Sequence, residues 1–232
     1  MNHLFERPGV AGRGEVSRRP DGRLFLSIDT WDDAGFALLA ADMLPALPRP
    51  LFTVVDEADA DLRARWESAG FTIRRREWEY VVPTDVDPVP VPAGVTLGPP
   101  SDERSLRAFE DVIRAEVSAA VGWQEMPAEI LPRPDTPDVT KYVVAAAGGG
   151  YVGLVRLAAV TRQPRIGLIA VRADRQRRGI GRALLSSVLN TLHRKGIPTA
   201  SAEVNETNPA AVALFEGAGA RRVGSNLELV LR

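Results

Sequence analysis

Six prolines crowd the short stretch between Val82 and Ser101: Pro83, Pro88, Pro90, Pro92, Pro99 and Pro100. Proline fixes φ and has no N–H to give to a ladder, so VPTDVDPVPVPAG reads as a stiff, extended connector and not as sheet interior. The chain therefore divides there, into residues 1–85, a linker at 86–94 and residues 95–232. Its 232 residues, 45% hydrophobic and 25% charged, have globular proportions and are enough to bury one sizeable core or two modest ones.

Beyond the linker, strand-like and helix-like runs alternate. Val95-Thr96-Leu97 reads as a short strand. Asp102 and Glu103 open a helix with Leu106, Phe109, Ile113 and Val117 at helical spacing. A loop and short helix are expected around Trp123, Met126 and Ile130. Three strands follow at Tyr142–Ala146, Tyr151–Val160 and Arg165–Val171. Ile180, Leu184, Val188 and Leu192 then mark a second helix, with His193, Arg194 and Lys195 in its last turn and Gly196 as its stop. Ala200–Val204 is another strand. Asn208-Pro209 is an N-cap followed by proline at the first helical position, and two terminal strands close the chain. The pattern predicts an α/β fold built on a mixed sheet.

What the chain lacks narrows the chemistry. With no cysteine and only His3 and His193, Cys-ligated metals and a Cys nucleophile are excluded, and a His-based metal site or a Ser–His hydrolase is disfavoured. No metal is expected. The balance of 29 Lys+Arg against 30 Asp+Glu argues against nucleic-acid binding, which needs a basic excess. The N-terminus MNHLFERPGV has no apolar leader, and the longest apolar run, Tyr142 to Val160, is broken by Gly148-Gly149-Gly150 and Arg156. A cytoplasmic protein with no membrane partner is the expectation.

An internal repeat adds to this. Val54–Val82 aligned without gaps on Glu203–Leu231 gives eight identities in 29 positions, including Glu67-x-Ala69-Gly70 against Glu216-x-Ala218-Gly219. Upstream, the hairpin-like GEVSRRPDGRLFLSI and the helix-like DDAGFALLAADML stand where a strand pair and a helix precede the second copy.

The stretch that carries chemistry is LIAVRADRQRRGIGRALL, residues 168–185. A strand ends at Val171, a polar turn follows, and Gly179-x-Gly181 opens a helix. Such a turn aims backbone N–H groups and the positive end of the helix dipole at one spot suited to phosphate or diphosphate. A Cβ there would keep the phosphate from the backbone, and Arg177, Arg178 and Arg182 can add charge-assisted bonds. The turn has neither GK[ST] nor the G-x-G-x-x-G spacing. On composition alone, a solvated Arg-rich turn capping an amphipathic helix fits as well.

Gln176-Arg177-Arg178-Gly179-Ile180-Gly181 resembles the Q/R-x-x-G-x-G/A signature of the GNAT superfamily of acyl-CoA-dependent N-acyltransferases. AEVNETNPAAVALFEGAGA, Ala202–Ala220, is similar to that family's E-V-x-x-x-N-x-x-A-x-x-L-[YF]-E-x-x-G segment. The likeness covers about residues 95–232, in the family's order of elements. It implies an N-acetyltransferase using acetyl-CoA as co-substrate and a small-molecule or peptide amine as acceptor. The alternative is an acyl-CoA-binding module without turnover. Oligomeric state stays open, a homodimer among the options.

The resemblance also implies roles. Ile169, Ala170 and Val171 offer strand backbone to the pantetheine arm. Gln176, Arg177, Arg178, Gly179, Ile180, Gly181 and Arg182 cradle the diphosphate, with Ala183 just behind, and Asn208 touches the coenzyme near its reactive end. Glu203 stands where many members place a general base. Phe215 departs from the pattern: the family often has a tyrosine there, credited with protonating the leaving thiolate. Tyr142 and Tyr151 could replace it only in principle.

Residues 1–82 read as a degenerate partial copy of the same fold. Val54 stands opposite Glu203, Asp59 opposite Asn208 and Trp66 opposite Phe215, and DTWDDAG replaces the Gly-x-Gly loop. Its three aspartates would repel a diphosphate, so no coenzyme is expected there. Trp31, Trp66 and Trp78 are expected in a core or interface. This segment and the loop Ala119–Pro132, with Trp123, Gln124, Glu125 and Glu129, are expected to shape the acceptor site.

Overall fold

A computed structural model describes residues 3–19, 21–120, 122, 136–158 and 163–232. Within it the chain forms two compact units, Met1–Trp78 with Gly224–Arg232, and Glu79–Val223. The residues at Trp123, Gln124, Glu125, Met126, Glu129 and Ile130 lie outside the described set.

The first unit opens with β1 (His3–Phe5), β2 (Gly12–Arg18) and β3 (Leu24–Thr30), each antiparallel to the next. The helix α1 (Asp33–Ala46) leads to β4 (Leu51–Asp56), then α2 (Ala60–Ser68) and β5 (Thr72–Pro83). Strands β3 and β4 are parallel but register only at Leu24–Leu51 and Phe25–Phe52. The far side of β4 pairs antiparallel with the last strand, β11 (Arg221–Leu231), from Asp56–Asn226 to Leu51–Leu231. The core holds Leu26, Ile28, Phe36, Leu39, Met43, Leu51, Val55, Leu227 and Leu229 around a fully buried Trp66. Phe36 and Phe71 meet the Trp66 ring edge-on at 4.9 and 4.8 Å. Trp31 is the opposite case, 91% exposed and no part of a core.

The second unit holds β6 (Thr96–Gly98), α3 (Glu103–Ala120), β7 (Tyr142–Ala147), β8 (Gly150–Ala158), β9 (Arg165–Val171), α4 (Ile180–Arg194), β10 (Thr199–Asn205) and α5 (Pro209–Glu216). Its strand order is β5-β10-β9-β8-β7-β6. β6 through β9 form an antiparallel meander, and β9 turns parallel to β10 through the α4 crossover. Leu106, Phe109 and Ile113 on α3 pack on Tyr142, Val144, Leu154 and Leu168, and α4 buries Ile180, Leu184, Leu185, Val188, Leu189 and Leu192. This helical spacing of apolar residues is the one read from the sequence.

The end of the chain differs from expectation: one eleven-residue strand, β11, replaces two. Gly224-Ser225-Asn226 has the look of a turn, yet Ser225 is tied into the sheet. Its carbonyl accepts the Glu57 N–H at 2.9 Å, and its hydroxyl donates to the Glu57 carboxylate at 2.5 Å. These bonds hold the chain extended through a locally unfavourable triplet. Among the described residues, no helix is long and apolar enough to cross a membrane.

Candidate functional site

The site begins where β9 and β10 part. Among the described residues they pair in parallel only at Arg165–Ser201, supported by Ser201 N–H on Pro164 O at 2.9 Å. On its other side β9 pairs with β8, with Val155 opposite Ile169, Leu154 opposite Ala170 and Gly153 opposite Val171, and a register shift between Arg156 and Leu157. Past Arg165, the β9 edge that faces β10 has no register partner among the described residues. An extended ligand arm could pair there as an added strand would. Glu203 stands two positions beyond the last paired residue, at the mouth of the split, half-buried and ion-paired with Arg165.

The turn after β9 is anchored from two sides. Glu116, near the end of α3, accepts the Ala173 N–H at 2.8 Å and faces Arg172 Nε at 3.3 Å. The Gln176 amide reaches back to Val171 O at 3.1 Å and so closes the loop, making this side chain a turn-former. Arg177 then adopts φ 62° and Gly179 φ 83°. A left-handed arginine is a costly conformation, of order 1–2 kcal/mol, held here by the anchored loop. Left-handed residues at 177 and 179 bend the backbone sharply just before α4.

The N-terminus of α4 is left open. Its cap residue is Gly179, with no side chain bonded to the first turn, whereas Asp32 caps α1, Asp59 caps α2 and Asn208 caps α5. The N–H groups that begin a helix have no intrahelical partner, so those of Ile180, Gly181 and Arg182 face outward with the positive end of the dipole. Arg177, Arg178 and Arg182 are exposed around them and form no ion pair with any described residue. Gly181 fits this reading for a steric reason. A Cβ built there meets nothing nearer than Val171 at 3.8 Å and Leu214 at 3.9 Å. The fold itself does not require glycine at this position.

Not every residue expected at the cradle presents itself to it. Ala183 is buried, and its N–H is taken by Gly179 O at 3.0 Å, so it serves packing. The Asn208 oxygen is used to cap α5, accepting the Ala211 N–H at 3.0 Å. Phe215 is buried with its ring stacked on Tyr80 at 6.1 Å. All three tyrosine hydroxyls are engaged: Tyr80 with Glu216 and Arg222, Tyr142 with Glu110, and Tyr151 with Ser101. Neither Arg165 nor Glu116 could be read as a site residue from the sequence. One meets Glu203 through strand register, the other through packing of α3 on the loop, and neither leaves a mark in local spacing.

Residues 108–220 match the model of the acetyltransferase (GNAT) family. Over 51 residues the chain is 47% identical to the [Ribosomal protein bS18]-alanine N-acetyltransferase of Escherichia coli (strain K12), a span covering 22% of this chain and 34% of that protein. The chain thus spans about a third of the length of the curated relatives it matches. Among solved structures it resembles a GCN5-related N-acetyltransferase from Sphaerobacter thermophilus, with TM-score 0.70 and 17% identity over 95% of this chain and 76% of that one. It likewise resembles a tandem GNAT protein from the clavulanic acid biosynthesis pathway, with TM-score 0.70 and 16% identity over 99% and 83%. The fold is that of GNAT acetyltransferases, with a partial repeat preceding it.

Proposed function

We propose that this chain, whose residues 108–220 match the acetyltransferase (GNAT) family model, is an N-acetyltransferase of that family. It moves an acetyl group from acetyl-CoA directly to a primary amine. The observation that carries the reading is the open N-terminus of α4, where a left-handed turn, a spare glycine and three arginines without an ion pair among the described residues converge.

The coenzyme supplies an activated acyl group, its thioester carbon open to a neutral amine and its thiolate a leaving group of low basicity (free thiol pKa about 8.5). The chain's own groups do the rest. The N–H groups from Arg177 to Arg182, with the three guanidiniums, hold the diphosphate; Ile169 to Val171 offer strand backbone to the arm that follows. Glu203, at the mouth of the split, takes the proton that the amine loses as its nitrogen bonds to the acyl carbon. A base positioned in this way contributes roughly 10²–10⁴-fold. Arg165 holds that carboxylate in place. With Phe215 unable to donate a proton and the tyrosines engaged, the departing thiolate takes its proton from water. With no cysteine in the chain, the acyl group passes straight between the two substrates.

The test is calorimetric titration with CoA followed by thiol release from acetyl-CoA across a panel of amines, including peptides with free N-terminal alanine. Heat with CoA and acceptor-dependent thiol release are expected. Binding without thiol release for any amine would reduce the protein to a coenzyme-binding module, and no heat would remove the coenzyme altogether.

A further inference from the structure

The proline-rich segment after β5 is fastened along α4, running against the direction of the helix. At the helix's C-terminal end, fully buried Thr84 donates its hydroxyl to Ile197 O at 2.5 Å and its N–H to Pro198 O at 3.1 Å. Midway, the buried Ser186 hydroxyl accepts the Val89 N–H at 3.0 Å and donates to Asp87 O at 3.4 Å. At the N-terminal end, Val95 N–H closes a turn on Pro92 O at 3.0 Å, and Pro92 Cγ lies 3.6 Å from where a Cβ on Gly179 would be. The segment thus spans the helix and ends beside Gly179, the residue with φ 83° at the start of α4, filling the space next to it. Pro88, Pro90 and Pro92 restrict φ along it, so little backbone freedom remains to be lost when it is laid down.

We propose that residues 84–95 are a positioning strap for the coenzyme, with Pro92 bracing Gly179 so that the turn already presents its N–H groups before a diphosphate arrives. The inference rests on reading residues 176–182 as the diphosphate grip. Its physical content is preorganisation: a turn held in its binding conformation spares the ordering that a slack loop would undergo on association. Ser186 takes part from a distance, since its two bonds fix the middle of the strap and hence the reach of Pro92.

Two variants test this. Pro92→Gly removes the brace and frees φ. Ser186→Ala removes the central fastening while placing a good helix former in α4, so the helix is kept. Each is titrated with CoA by calorimetry and assayed for turnover with acetyl-CoA and with S-acetylpantetheine, which carries the thioester but no diphosphate. Both variants are expected to bind CoA about three- to tenfold more weakly, the scale of ordering a short loop on binding. They should keep kcat at saturating acetyl-CoA and wild-type kcat/KM with S-acetylpantetheine. Unchanged CoA affinity in Pro92→Gly overturns the strap. An equal loss with S-acetylpantetheine overturns it as well, since the effect would then be general loosening. Absence of heat from the wild-type protein would mean the coenzyme reading has failed first, and the strap falls with it.

Discussion

Asp59 and Asn208 hold the same place on two different helices. The Asp59 carboxylate accepts the Leu62 N–H at 2.9 Å, and the Asn208 amide oxygen accepts the Ala211 N–H at 3.0 Å. Each cap begins a helix that buries one aromatic ring, Trp66 or Phe215, and each helix ends before a left-handed glycine, Gly70 at φ 93° or Gly219 at φ 79°. The strand before each pairs parallel with its neighbour for only one or two residues and then departs from it. This agreement of caps, core residues, turns and strand splits in a gap-free alignment is what a duplicated unit produces. The copies differ where chemistry is expected: Val54 stands in place of Glu203, and α1 is capped where α4 is open.

Gly181→Glu should abolish coenzyme binding without unfolding the protein. The nearest atom to a Cβ at this position is 3.8 Å away, so the side chain is accommodated by the fold and projects toward the proposed anion site. There it brings bulk and a negative charge against a diphosphate. The expected result is no calorimetric heat with CoA and a melting temperature within a few degrees of wild type. Retained CoA affinity would mean that the grip lies elsewhere.

Glu203→Gln should lower kcat by roughly 10²–10⁴-fold with the affinity for acetyl-CoA nearly unchanged. Glutamine keeps a carbonyl oxygen for Arg165, so the pairing at the mouth of the split survives as a hydrogen bond while the basic site is lost. Steady-state kinetics beside a CoA titration separate the two effects. Turnover equal to wild type would take Glu203 out of the reaction.

Much of this was legible in the sequence, for local reasons. The Asn208-Pro209 cap, the Gly179-x-Gly181 start of α4 and its four-residue apolar spacing are short-range signals, and the structure carries each of them. What stayed hidden depends on contacts distant in the chain. Ser225 is held extended only because Glu57 meets it. Arg165 reaches Glu203 only because β9 and β10 share one register point. Asn208, matched to a coenzyme-binding position, spends its oxygen on its own helix. That the connector is strapped to α4 at Thr84 and Ser186 could not be read from proline content, which specifies stiffness but no destination.

One CoA should bind per chain. In the N-terminal unit the helix that follows the split strand, α1, has its start occupied by Asp32, whose carboxylate accepts the Gly35 N–H at 2.6 Å. An internal carboxylate thus already holds the place that an external anion would take. Asp32→Ala should destabilise this unit by about 0.5–2 kcal/mol, the usual value of an N-cap, as read by denaturant unfolding. CoA stoichiometry should remain one, because Asp29 and Asp33 still flank the site. A stoichiometry of two in wild type would show that the first copy has kept its ligand.

Alkaline pH should weaken the second unit through Tyr142. Burial pushes its hydroxyl up to about 12, helped by the Glu110 carboxylate to which it donates at 2.7 Å. In the unfolded chain the same group titrates near its ordinary value of about 10. A neutral form favoured by folding contributes stability that is fully present below the unfolded value and is lost as pH rises through the folded one. Stability should therefore decline between about pH 10 and 12, and the decline should be shallower in Tyr142→Phe, which has no proton to lose. Absorbance at 295 nm gives the direct check, with Tyr142 ionising later than an unburied tyrosine would. If all three tyrosines ionised together near pH 10, the buried Tyr142–Glu110 pairing would be wrong, and with it the packing of α3 that carries Glu116 to the loop before the anion site.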